Sequence, residues 1–130
     1  MTHYFTREEA EVLLPEISVL LRTIQECHLK VRALEEDLVE LRAQAMGNGH
    51  HLHDRMSKIQ KSLFFETSIL RDALRELETF GCELKDPAIG LVDFLFLHSG
   101  KEAYLCWRLG EERIAFWHPL DTGFVGRQPL

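Results

Sequence analysis

Residues 81–128, GCELKDPAIGLVDFLFLHSGKEAYLCWRLGEERIAFWHPLDTGFVGRQ, decide how this chain is read. Short apolar runs alternate there with tight-turn signals. Leu91 to Leu97, Ala103 to Leu109 and Arg113 to His118 read as strands, parted by Ser99-Gly100-Lys101 and Gly110-Glu111-Glu112. Two consecutive hairpins follow, hence an antiparallel meander. Ahead of them Cys82-Glu83-Leu84-Lys85 is short and extended, and Asp86-Pro87 forces a turn. Period-two parity puts Val92, Phe94, Phe96, Leu105, Trp107, Leu109, Ile114, Phe116 and His118 on one face. Asp93, Leu95, Leu97, Tyr104, Cys106, Arg108, Arg113, Ala115 and Trp117 fall on the other. The first face is nearly pure hydrocarbon and must cover something. The second is mixed, with Asp93 close to Arg108, and is half-solvated or covered by the tail. That tail, residues 119–128, has two glycines and is expected to turn tightly across the sheet with Phe124 as its anchor.

What the apolar face covers is set by the preceding residues. Thr6-Arg7-Glu8-Glu9 fits a capping box, in which Thr6 and Glu9 satisfy each other's backbone N–H groups. From there Leu13, Ile17, Leu20, Ile24, Cys27, Val31, Leu34, Leu38, Leu41 and Ala45 recur at spacings of four and three. The pattern predicts a helix to about Met46, roughly 60 Å long at 1.5 Å per residue, stopped by Gly47-Asn48-Gly49. Pro15 lies inside it and predicts a kink between Glu11 and Pro15. Met56, Ile59, Leu63, Glu66, Leu70, Ala73, Leu77 and Phe80 form a second seam, ending at Gly81. Two seams joined by a short polar loop make an antiparallel helical hairpin, with Leu41 near Ile59 and Cys27 near Ala73. Residues before about Leu20 then lack a partner on the second helix, so the root of the first must pack on the meander. The fold class is α+β: one domain over residues 1–130, with a coiled-coil-like hairpin over 1–81 (tip near 47–54) and the meander and tail over 82–130. Glu66, on the seam, is expected to pair with an Arg such as Arg32 or to be wet at the seam edge.

Phe64, Phe65 and Ile69 lie beside or off the seam, as do Leu29 and Val39. Apolar residues in that position point to an interface, and the expected partner is a second copy that completes a four-helix bundle. The plainer alternative is scattered surface apolar residues.

Composition narrows the function classes. The chain has 130 residues, enough for a single core, and a formal net charge of −6. That charge argues against a broad nucleic-acid footprint. Cys27, Cys82 and Cys106 are odd in number and lack C-x-x-C spacing, so they read as reduced thiols of a cytoplasmic protein. No run reaches a membrane span, and the opening MTHYFTREEAE has no signal-peptide pattern.

Two groups of residues carry candidate chemistry. His50, His53 and Asp54 at the hairpin tip fall at i, i+3 and i+4 if the second helix begins by His50, a spacing that holds a divalent metal. The plainer reading is a polar loop with Asp54 as N-cap. On the meander, His118 with Asp93 or Asp121 suggests an acid–base pair, and Arg108 and Arg127 suggest an anion clamp. The structural alternative is an Asp93–Arg108 ion pair beside a hydrogen-bonded core histidine. No nucleophile–base spacing, Gly-rich phosphate loop or H-E-x-x-H occurs, so no catalytic residue is assigned.

The stretches GCELKDPAIGLVDF, YLCWRLGEERIAFWH and GFVGRQPL, with YFTREEAEVLLPEI at the start, resemble a bacterial family called domain of unknown function 2203. The resemblance spans essentially the whole chain and implies a compact α+β domain without implying an activity. The tip sequence GNGHHLHDR has no counterpart in that pattern. The expected function is a non-enzymatic interaction or assembly module that dimerises through its hairpin. The alternative is a small metal- or anion-binding protein, or an enzyme, built on the meander cluster.

Overall fold

The computed structural model describes residues 2–44 and 49–130, the side chains of His50 and His51 excepted. Two helices, α1 (Arg7–Gln44) and α2 (Gly49–Glu78), precede five strands: β1 (Glu83–Asp86), β2 (Leu91–His98), β3 (Lys101–Arg108), β4 (Phe116–Pro119) and β5 (Gln128–Pro129). The strands form one antiparallel sheet in chain order. The expected α+β architecture of hairpin and meander is therefore present, with the tail adding an edge strand.

The capping box closes as expected. Thr6 N donates to Glu9 Oε1 at 3.2 Å and Glu9 N donates to Thr6 Oγ1 at 3.1 Å. The helix then runs unbroken through Pro15, so the seam on both sides belongs to one element. Leu41 and Ile59 line a common groove between the helices, as the expected register requires. Pairing reaches further toward the root than expected, because Glu16, Val19 and Leu20 share a groove with Glu76 and Phe80. Cys27 lies beside Glu66, whose partner is Lys30 at 4.0 Å and not Arg32. Residues 45–48, where the glycine stop was expected, lie outside the described residues. Asp54 stands inside α2 and does not cap it.

At the root the buried stripe of α1 is Ala10, Leu14, Ile17, Leu21 and Ile24, while Leu13 and Leu20 are only partly buried. The helix faces two neighbours there, and the stripe turned toward the sheet is buried more deeply than the seam toward α2. Ile17, Leu21 and Ile24 share one core with Leu77, Val92, Phe94, Leu105, Trp107 and Ile114. Each such aliphatic or aromatic side chain contributes about 1.5–3 kcal/mol on full burial. The chain start is fixed as well. Phe5 N donates to Leu95 O at 2.8 Å, beyond the end of β1, and the Phe5 ring meets Phe94 edge-on at 5.2 Å.

The face assignment of the last long strand is corrected by the sheet register. Opposite pairs are Val92 and Trp107, Phe94 and Leu105, Leu105 and Trp117, Cys106 and Phe116, and Tyr104 and His118. Trp117 thus lies on the face that covers the helices, and Phe116 and His118 lie on the other. The expected strand over 113–118 begins only at Phe116. Residues 109–115 form an irregular loop in which Trp107 Nε1 donates to Glu111 O at 3.1 Å and Ile114 plugs the core. Alternation cannot be carried through a segment that is not a strand, so the parity slips by one residue.

A candidate buried Asp–Cys–His centre

The second face of the sheet brings together three side chains from three neighbouring strands. Asp93 on β2 is directly opposite Cys106 on β3, and Cys106 is opposite Phe116, two residues before His118 on β4. The corrected parity of β4 is what puts His118 in this group. The ligand atoms of Asp93, Cys106 and His118 all lie within 4.8 Å of one another. Asp93 is 1% exposed, Cys106 0% and His118 2%, so the cluster is sealed from solvent.

His118 is held at both ring nitrogens. Nδ1 is 2.8 Å from the carbonyl oxygen of Pro119, and Nε2 is 2.9 Å from Asp93 Oδ2. A carbonyl only accepts, so Nδ1 carries a proton. The short contact at Nε2 needs a second proton, shared between imidazole and carboxylate. Burial pushes the Asp93 carboxyl above its ordinary range, and His118 and the Cys106 thiol pull it part of the way back. Burial likewise pushes the Cys106 thiol up to about 12, with Asp93 adding to the shift. Asp93 Oδ1 has no full hydrogen-bond partner among the described residues.

This arrangement is not a nucleophile triad. In such a triad the imidazole bridges thiol and carboxylate. Here one ring nitrogen is bound to backbone and the other to Asp93, leaving none for Cys106. The thiol, held protonated at neutral pH, is no nucleophile either.

The tail closes the site. A 3₁₀ turn at Phe124–Gly126 and strand β5 lay Arg127 over the Phe116 ring, 4.1 Å from its centroid. Arg127 Nη2 donates to the Cys106 carbonyl at 3.2 Å and to Glu111 Oε1 at 2.7 Å. Phe124, expected as the anchor, is itself 39% exposed, and Arg127 has that role with Phe124 stacked against it at 4.8 Å. On the other side Tyr104 packs on the His118 ring at 5.4 Å, under Lys85.

Of the five meander residues singled out from sequence, the structure joins His118 and Asp93 and sets Arg127 beside them. Arg108 and Asp121 are exposed and stand apart from the pair. Asp93 is bound to His118, not to Arg108 as the cross-strand alternative had it. Cys106 and Glu111 were missed. The signal for Cys106 was available, since it shares parity with Asp93 one strand away. At the tip, His53 and Asp54 are exposed on α2, and the His50 side chain lies outside the described residues. Among the interface candidates, Phe64 and Phe65 are exposed and Ile69 is half-buried.

The profile of a family described as an uncharacterized conserved protein, DUF2203, matches residues 3–130. No curated protein and no solved structure matches the chain.

Proposed function

The chain belongs to the DUF2203 family, and we propose that it works as an interaction and assembly module that pairs with a second copy through its helical hairpin. The observation that carries this reading is the adjacent pair Phe64 and Phe65, 75% and 63% exposed on the outer side of α2. Two neighbouring aromatic rings in water favour a contact that removes them from it.

Charge supports a second copy as the occupant. Lys58 and Lys61 precede the Phe pair on α2, whereas exposed Val39 on α1 has Glu35, Glu36 and Glu40 beside it. A two-fold axis that lays α2 of one copy on α1 of the other matches basic to acidic and apolar to apolar, twice over. The cytoplasm is the compartment we assign, where the three buried, unpaired thiols stay reduced. No helix among the described residues is long and apolar enough to cross a membrane.

Sedimentation tests the proposal. The wild-type chain is expected to sediment as a dimer, and Phe64→Glu with Phe65→Glu as a folded monomer. A monomeric wild type at micromolar concentration and above ends the proposal, as does a dimer that the double substitution leaves intact.

A further inference from the structure

The Asp93–Cys106–His118 cluster is a different matter from the hairpin surface, and its geometry asks for an explanation. A carboxylate, a thiol and an imidazole are buried within 4.8 Å of one another. Burying three such groups is costly unless something pairs them, yet Asp93 Oδ1 has no full partner among the described residues.

The His118 ring is also set as metal-ligating imidazoles are set. One nitrogen donates to a backbone carbonyl, which fixes the tautomer and ring plane and leaves the other nitrogen on Asp93 Oδ2, with Cys106 in the same cluster. A thiolate and a carboxylate balance a dication, and a mixed sulfur, nitrogen and oxygen set selects zinc-like ions over calcium or magnesium. Zinc bonds of about 2.0–2.3 Å place tetrahedral ligand atoms roughly 3.3–3.6 Å apart. The widest gap here need therefore close by only about 1 Å, and the Nε2–Oδ2 pair must open slightly from 2.9 Å.

We infer that Asp93, Cys106 and His118 form a mononuclear zinc site that ties β2, β3 and β4 together beneath the tail. Three protein ligands leave a fourth position for water. Because the cluster is sealed, the ion enters while the chain folds, and its binding adds to stability.

The test starts from full-length protein unfolded and refolded with a chelator, with Zn²⁺ or with Co²⁺. Refolding with metal is expected to yield one tightly held ion per chain and a higher melting temperature than refolding with chelator. The Co²⁺ form should show sulfur-to-metal charge-transfer absorption, lost in Cys106→Ser and kept in His53→Ala. X-ray absorption of the wild-type Zn²⁺ form should give one sulfur at about 2.3 Å with nitrogen and oxygen near 2.0–2.2 Å, a readout that stands even if Cys106→Ser fails to fold. A shell of nitrogen and oxygen alone would place the ion at the hairpin tip and overturn the inference. So would protein that refolds without taking up metal.

Discussion

His118 Nε2 and Asp93 Oδ2 stand 2.9 Å apart on strands that are not neighbours, with β3 between them and both side chains shut away from water. The contact spans the width of the meander's centre and depends on the register of both of its hairpins. In metal-free protein, Asp93→Ala leaves His118 Nε2 without its partner, and breaking a buried pair costs about 3–5 kcal/mol. Replacing both by hydrocarbon, Asp93→Leu with His118→Leu, is expected to recover most of that loss. Denaturant midpoints read the difference; a single substitution worth less than about 0.5 kcal/mol would show that the pair is not under strain when broken.

Arg127 and Glu111 hold the tail over the site. Arg127 bonds Glu111 and the Cys106 carbonyl and stacks on two rings. Lysine offers a point charge without the planar fork, so Arg127→Lys is expected to lose about 1–2 kcal/mol, nearly as much as Arg127→Ala. A double-mutant cycle with Glu111→Gln should give a coupling of at least about 0.5 kcal/mol. Additive losses would mean that the two residues act separately.

Gly90 is fixed by backbone and by space. Its φ is +67°, and a Cβ there would lie 2.6 Å from Leu109 Cβ, against a residue whose N–H donates to the Gly90 carbonyl at 2.9 Å. Gly90→Ala is therefore expected to cost more than about 1 kcal/mol. Adding Leu109→Gly, which removes that Cβ, should relieve the collision but not the backbone strain, so the double variant is expected to be more stable than the sum of the two losses implies. Thermal unfolding of the three variants decides it.

Cys82 links stability to alkaline pH. Burial pushes its thiol from the usual value near 9 up to about 11. Between those values the unfolded chain has released a proton that the folded chain retains, so stability falls as pH rises from about 9 to about 11. Two pKa units correspond to about 2–3 kcal/mol at the upper end of that window. Cys82→Ala should remove this part of the slope, and an unchanged slope in urea titrations at pH 8 to 11 would refute it.

The helices were legible residue by residue because their signals are local. Thr6 and Glu9 announce the cap, and apolar spacing carries the seam through Pro15. The first hairpin was equally legible, since Ser99 and Gly100 make a tight turn that fixes the pairing of Asp93 with Cys106. The second hairpin was not. Its loop is held by contacts to Glu111 and by the burial of Ile114, neither of which leaves a periodic trace.

Sequence alone thus determined the two rods, the meander and the core that joins them, because each rests on repeats and turns within a few residues. Only the tertiary structure decided which face His118 occupies. That choice depends on how an irregular loop spends its residues between β3 and β4, and a slip of one residue reverses every side chain of a strand. The meeting of Asp93, Cys106 and His118 follows from that slip and from the tail that covers it.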